Sequence, residues 1–254
     1  MKSLDKLWDE YDRKCSVKDY PEIKHYWWRN CYSEINNAII KRIPLNENSK
    51  VLECGCGTGK SSLLLSPKVR EVVLLDSFLC SLKCAKSLAG YYGAKNTKFI
   101  KDDVFRMPFK ENLFDFCWNV GLIEHYNQKK AEDIIVEMAR VTKNLGYICI
   151  GVPNFNSLAI RKAKFLSYKY LKPFTFWIAG YRLVDEHNYN IQILKDMMVN
   201  VTRRYNVKFE DIHFDYAGSF LPIETPFFIY KTINRYFPKN FSFLLLLIAK
   251  VRKQ

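Results

Sequence analysis

Short apolar runs alternate along the first part of the chain with segments whose apolar residues recur at helical spacing. Lys50–Cys54, Glu71–Asp76, Thr97–Lys101, Phe114–Asn119 and Tyr147–Val152 are each apolar enough to be strands of a parallel sheet covered on both faces. Leu79–Tyr92, ending near Gly93, reads as a helix. So does Gln128–Val141, where Ala131, Ile134, Ile135, Met138 and Val141 fall on one face ahead of Gly146. Strand–helix alternation implies right-handed βαβ crossovers and a doubly wound parallel sheet, with ligands at the carboxyl ends of the strands. After Gly151 the alternation stops, and a stretch rich in aromatic and basic residues runs to about Asn190. A helix from Ile191 to Tyr205 and strand-like segments Val207–Asp215 and Phe241–Val251 follow. Antiparallel edge strands joined by a long hairpin would account for these two, with Pro222, Pro226 and Pro238 in the connection.

With 254 residues, 48% of them hydrophobic, the chain can bury a full α/β core in one domain with additions. The opening MKSLDKLWDEYDRK is charged and lacks the apolar stretch of a secretion signal, so a cytoplasmic location is expected. The longest apolar run, Phe243 to Ala249, is far below the roughly 20 residues of a membrane-spanning helix. Eight cysteines raise the question of metal or disulfides. Cys54 and Cys56 flank a glycine, Cys80 and Cys84 lie one helical turn apart, and neither pair has the spacing of a zinc site. Ser87 stands where an iron–sulfur radical enzyme would carry its third cysteine. Free, mostly buried thiols and no metal are expected. The net charge of +14 favours anionic partners such as nucleic acid, phospholipid headgroups or phosphorylated small molecules, although solubility alone accounts for it equally well.

Candidate chemistry concentrates in Val51-Leu52-Glu53-Cys54-Gly55-Cys56-Gly57-Thr58-Gly59, a strand running into a glycine-rich turn ahead of a helix. The glycines let the backbone pass close under a ligand. Glu53 at the strand end would repel a pyrophosphate and suits a ligand with a cationic amino group. The dinucleotide fingerprint GxGxxG fails because Lys60 replaces its last glycine. The phosphate loop GxxxxGK[ST] matches at Gly59-Lys60-Ser61, but Cys54 occupies its first glycine. Val72-Val73-Leu74-Leu75-Asp76 could serve as the metal-binding strand of such a nucleotide hydrolase.

ExGxGxG after the first strand, an acid ending the second, an acid after the third and FDxxxxxGxxEH at the fourth together resemble the class I S-adenosylmethionine-dependent methyltransferases. The likeness is greatest to the broad subgroup that methylates small molecules, quinones, lipids and glycans, and it covers Lys50 to Pro153 well and the rest loosely. It implies a Rossmann-like, mostly parallel seven-stranded sheet with helices on both faces and an antiparallel last strand. A single domain is expected over 1–254: an N-terminal helical cap (1–48), the cofactor-binding core (49–153), a lid or substrate insertion (154–190), and a C-terminal helix and strands (191–254).

The resemblance also implies roles in binding S-adenosylmethionine, with S-adenosylhomocysteine as product. Glu53 would hold the amino group, and Gly55, Cys56, Gly57 and Gly59 would wrap the methionine part. Asp76, followed by Ser77, would accept hydrogen bonds from both ribose hydroxyls. Asp103, preferred over Asp102, aligns with the acid that receives the adenine amino group, with the Val104 amide beneath the ring. Asn119 and Gly121 would lie beside the sulfonium, followed by Glu124 and His125. An imidazole there could act as general base or simply pack under the cofactor. His187, in Asp185-Glu186-His187-Asn188-Tyr189, resembles the His before the last large helix in glycan and natural-product methyltransferases and is a second acceptor-side candidate.

Two segments could cover the site. One is Tyr20 to Arg29, and the other is 161–182, which carries Arg161, Lys162, Lys164, Lys169, Lys172 and Arg182 with no acid, among Phe165, Tyr168, Tyr170, Phe174, Phe176 and Trp177. Such a mixture stacks on bases, lies at a membrane interface, lines a pocket for an anionic apolar substrate, or forms a packed lid whose lysines face water. The [DN]PP[YFW] motif of base-amino methylation is missing, with Asn119-Val120-Gly121-Leu122 in its place. A small-molecule or lipid-linked acceptor is therefore preferred, with RNA or protein acceptors and a non-catalytic S-adenosylmethionine-binding module as alternatives. Peripheral contact with an anionic membrane is part of this expectation, and the sequence leaves oligomeric state open.

Overall fold

Val72 and Leu74 face one layer of the protein and Val73 and Leu75 the opposite one, so the strand β2 (Glu71–Asp76) is buried on both sides. The same division runs through β1 (Lys50–Cys54), where Val51 joins one apolar cluster and Leu52 the other. Strands of this kind need helices above and below. A computed structural model, which describes residues 25–168, 183, 185–233 and 236–253, shows them in place.

The remaining strands are β3 (Thr97–Lys101), β4 (Phe114–Val120), β5 (Thr142–Pro153), β6 (Val207–Ala217) and β7 (Leu244–Lys253). They form one seven-stranded sheet in the order β3-β2-β1-β4-β5-β7-β6. β1 through β5 pair in parallel, and β7 runs antiparallel to both its neighbours. The antiparallel strand is thus not at the edge: β7 inserts between β5 and β6, and β6 is the outer strand. Of these two strands, β7 is apolar on both faces from Leu244 to Ala249, whereas the middle of β6 is exposed.

One face is covered by α1 (Tyr26–Arg42), α2 (Lys60–Leu65) and α3 (Leu79–Tyr92), and the other by α4 (Gln128–Val141) and α6 (Ile191–Arg204). Local chemistry sets their ends. Asn127 accepts from the Lys130 amide at the start of α4, and Asn190 from the Ile193 amide at the start of α6. α5 (Leu158–Ser167) is capped by Ser157, whose hydroxyl accepts from the Ala159 amide. The β6–β7 connection is not a plain hairpin: it contains α7 (Phe227–Ile233) and a 3-10 turn at Lys239–Phe241, which moves the start of β7 to Leu244.

The expectation of free thiols fails at Cys84, which is disulfide-bonded. Cys31, Cys54, Cys56, Cys80, Cys117 and Cys149 are free. No group of metal-ligating side chains occurs among the described residues, and no helix among them is long and apolar enough to cross a membrane. Of the aromatic-basic stretch, Lys169, Tyr170, Lys172, Phe174, Phe176, Trp177 and Arg182 lie outside the described residues, as do positions 20–24 of the N-terminal segment.

Candidate functional site

The glycine-rich turn leaves β1 at the carboxyl edge of the sheet and is fastened to the end of β2. The Cys56 amide donates to the Leu75 carbonyl at 3.0 Å, and the Gly57 amide donates to Asp76 Oδ2 at 2.8 Å. Gly55 and Gly59 both have positive φ, near 60°, and a Cβ on either would stand 2.6 Å from Leu122 Cδ1 or 2.4 Å from Leu74 Cδ1. The turn is therefore both left-handed and in tight contact at these two positions, which glycine alone satisfies without strain.

A cavity of about 770 Å³ opens beside this turn. Glu53, Gly55, Cys56 and Gly57 form one wall, and Val120, Gly121, Glu124 and His125 form the floor at the end of β4. Trp27, Trp28, Cys31 and Tyr32 of α1 close one side, and Ala159, Lys162, Ile223 and Glu224 close another. Lys162 Nζ pairs with Glu224 Oε2 at 2.7 Å, tying α5 to the β6–β7 connection. The Lys60 ammonium sits 4.7 Å from the centre of the Tyr32 ring.

Two carboxylates on the cavity wall are almost completely buried, and each has one oxygen, Oε2, without a hydrogen bond. Burial pushes Glu53 up to about 8 against hydrogen bonds from Ser62, with the charge of Asp76 adding to the rise. Burial likewise raises Glu124 to about 7, countered by His125 and reinforced by Glu186 and Asp185. An orphaned buried oxygen is costly unless a partner arrives. A cationic group delivered to Glu53 removes that cost and restores the carboxylate.

Asp76 lies just outside the cavity, at the end of β2. Oδ1 accepts from the Phe78 amide and Oδ2 from the Gly57 amide, and each oxygen keeps further acceptor capacity. Burial raises its pKa, and the amides of Phe78, Gly57 and Ser77 oppose the rise. Ser77 and Asp103 are exposed, and Val104 is buried in the core. Asp103 Oδ1 accepts from the Phe105 amide. Tyr126, whose hydroxyl pKa is raised by burial and then by the nearby Asp103, Asp76 and Asp185, meets the edge of Phe105 at 5.2 Å. Asp76, Asp103, Phe105 and Tyr126 thus lie near one another at the ends of β2 and β3.

Two expected residues are placed elsewhere. Asn119 is fully buried, with its amide directed to Met138 Sδ at 3.1 Å on α4, because the alternation of β4 turns it into the core; Val120 and Gly121 line the cavity instead. His187 is exposed, stacks on Tyr189 at 6.0 Å and is not among the lining residues; its backbone amide donates to the Glu124 carbonyl at 2.7 Å. That bond holds Asp185 behind His125, with Asp185 Oδ1 2.7 Å from His125 Nδ1. With Asp185 accepting from Nδ1–H, His125 Nε2 carries the lone pair. Asp185 and Tyr126 went unrecognised in the sequence because tertiary contacts bring them to the site, and the only signal was their adjacency to His187 and His125.

A methyltransferase-domain family model matches residues 51–146. An uncharacterized protein of Methanocaldococcus jannaschii is 30% identical over 184 residues, 69% of this chain and 75% of that protein. The demethylmenaquinone methyltransferase of Anoxybacillus flavithermus is 25% identical over 178 residues, covering 67% of this chain and 69% of its own. Phosphoethanolamine N-methyltransferase 1 of Haemonchus contortus, solved with phosphoethanolamine and S-adenosylhomocysteine, shares the fold with a TM-score of 0.67 at 15% identity, over 99% of this chain and 49% of that one. Sheet order, the acid-and-glycine turn and these matches lead to one assignment: the chain belongs to the class I S-adenosylmethionine-dependent methyltransferases.

Proposed function

We propose that the protein moves a methyl group onto an oxygen, nitrogen or carbon atom of a small-molecule or lipid-linked acceptor held in the cavity beside Glu53. The observation that carries this reading is the buried Glu53 oxygen, unpartnered, on the wall of a turn that only glycines can form. When bound, S-adenosylmethionine supplies an electrophilic methyl group on a sulfonium. Glu53 would hold the amino group, the backbone of Gly55, Cys56 and Gly57 would wrap the methionine part, and Gly59 would keep the turn closed. Asp76 and Ser77 would face the ribose, and Asp103 and Val104 the adenine, with Tyr126 flanking it.

In-line displacement depends mainly on close approach and orientation, so the cavity walls do most of the work. Ala159 and Lys162 of α5, together with α1, would serve as the acceptor-side cover. Where the acceptor loses a proton, His125 Nε2 takes it and Asp185 holds the imidazole in the tautomer that leaves Nε2 open. The likeness to quinone and phosphoethanolamine enzymes supports a small or lipid-derived acceptor and does not choose between them.

The test is incubation with methyl-labelled cofactor and a fractionated cell extract. Label in a small-molecule or lipid fraction, lost in Asp76→Ala together with the thermal shift induced by the cofactor, supports the reading. Label confined to RNA or protein overturns the acceptor class, and an unchanged thermal shift in Asp76→Ala overturns the ribose assignment.

A further inference from the structure

Aromatic side chains crowd the outside of the β6–β7 connection. Phe228 and Tyr236 are 71% and 78% exposed, and Phe227 and Phe237 are exposed beside them. Across the Lys162–Glu224 pair, Phe165 of α5 and Tyr168 just beyond the helix face solvent, more than half exposed, together with the exposed Arg161 and Lys164. Exposed aromatic clusters of this kind are uncommon on a surface that meets only water. Both segments leave the carboxyl edge of the sheet, and both also supply the cavity wall, through Ala159 and Lys162 on one side and Pro222 and Ile223 on the other.

Charge narrows the kind of partner. The sequence holds no acid from Phe155 to Val184 and none after Glu224, and Glu224 is itself neutralised by Lys162. Lys231 lies exposed between the aromatic pairs, and Lys239, mostly exposed, lies beyond them, paired with Glu34. Phenylalanine and tyrosine rings flanked by cations suit the boundary between anionic headgroups and acyl chains. A base-reading surface would carry amide or hydroxyl side chains on the same face. On α7 Thr232 spends its hydroxyl on the Phe228 carbonyl, and Tyr230 is buried.

We propose that this face docks on an anionic lipid bilayer, so that the cavity mouth opens toward the membrane and the methyl acceptor is drawn from it. The docking stands on the surface alone; the acceptor half rests on the methyl-transfer reading above, and the two are tested separately.

Docking is measured by flotation of the whole protein, without cofactor, with phosphatidylcholine vesicles and with vesicles of phosphatidylcholine and phosphatidylglycerol in equal parts. The protein is expected to float with the anionic vesicles only and to be released by salt. Phe228→Ser/Tyr236→Ser should weaken binding roughly tenfold. Lys164→Glu/Lys231→Glu should weaken it by more than that, since each lost cation costs roughly fivefold. Unchanged thermal midpoints in both variants show that the fold is kept, because none of the four side chains is buried. Three results overturn docking: no flotation with either vesicle, equal flotation with neutral vesicles, or variants that bind as the parent does. Binding to polyuridylate through these residues in place of vesicles also overturns it, in favour of nucleic acid. With labelled cofactor and lipid extract, label in the lipid phase supports the acceptor half. Label only in water-soluble products overturns that half while docking stands.

Discussion

Glu53 is held in an uncomfortable state by its surroundings, and this makes it testable. Its carboxyl titrates near 8 in the folded protein against 4.5 in its ordinary state. The folded form therefore binds the proton more tightly, and stability falls as pH rises from about 4.5 through about 8. Glu53→Gln removes this penalty, so its melting temperature should exceed that of the parent by a margin that widens across this window to several degrees, at about 2–4 °C per kcal/mol for a chain of this size. The same variant should lose the thermal shift induced by S-adenosylmethionine. In the parent, a cationic amino group needs the ionised carboxylate, so binding expels a proton below pH 8 and affinity should climb by up to tenfold per pH unit. Isothermal titration at several pH values checks this, and a parent with flat affinity contradicts the placement of the amino group. With His125 as the proposed base, Asp185 would act through it, and Asp185→Asn should lower kcat by about a hundredfold with little change in the KM for cofactor. Partial recovery in Asp185→Glu separates positioning from a merely structural role, for an acceptor that must lose a proton.

Among the elements, the turn between β1 and α2 is the least tolerant of change. Gly59→Ala forces a side chain into left-handed backbone, costing about 1–2 kcal/mol, and sets its Cβ 2.4 Å from Leu74 Cδ1. Overpacking adds about 1–3 kcal/mol. Chemical denaturation should show the sum, and adding Leu74→Val should return part of it, because the two sites share one contact. This turn was legible in the sequence, since glycine spacing and a strand-end acid are local facts, and so were the central strands β1, β2 and β4, short runs apolar on both faces. α5 was not, because its three buried residues, Ile160, Ala163 and Leu166, sit among lysines that mask the period. α7 was hidden by the prolines around it. Asn119 was misplaced because a motif fixes a position along a strand and not the face its side chain takes. The His125–Asp185 contact joins residues distant in sequence, where no local pattern can register it.

At the scale of the whole molecule, the order β5-β7-β6 means that β6 has no partner in the sheet until the last strand arrives. β7 pairs with β5 from Pro153 to Tyr147 and with β6 from Ala217 to Val207, and its residues Leu244 to Ala249 are buried from both faces. The two apolar clusters both draw on it: Leu245, Leu247 and Ala249 belong to one, Leu244, Leu246 and Ile248 to the other. A lesion in β7 should therefore damage both layers at once, whereas one in the edge strand β3, which is at most half-buried, should be absorbed. Leu247→Asp places an unpaired carboxylate at a fully buried position, a change costing more than the about 5–15 kcal/mol that holds a domain together if the charge is kept, and several kcal/mol even when it is neutralised. This variant is expected in the insoluble fraction and, where it can be recovered, without cooperative thermal unfolding. Lys98→Asp on β3 should remain soluble, still melt in one transition and still respond to S-adenosylmethionine. If Leu247→Asp instead kept a cooperative transition and the cofactor response, β7 would be dispensable to the site, and the binding edge would have to be stable as a five-stranded sheet without it.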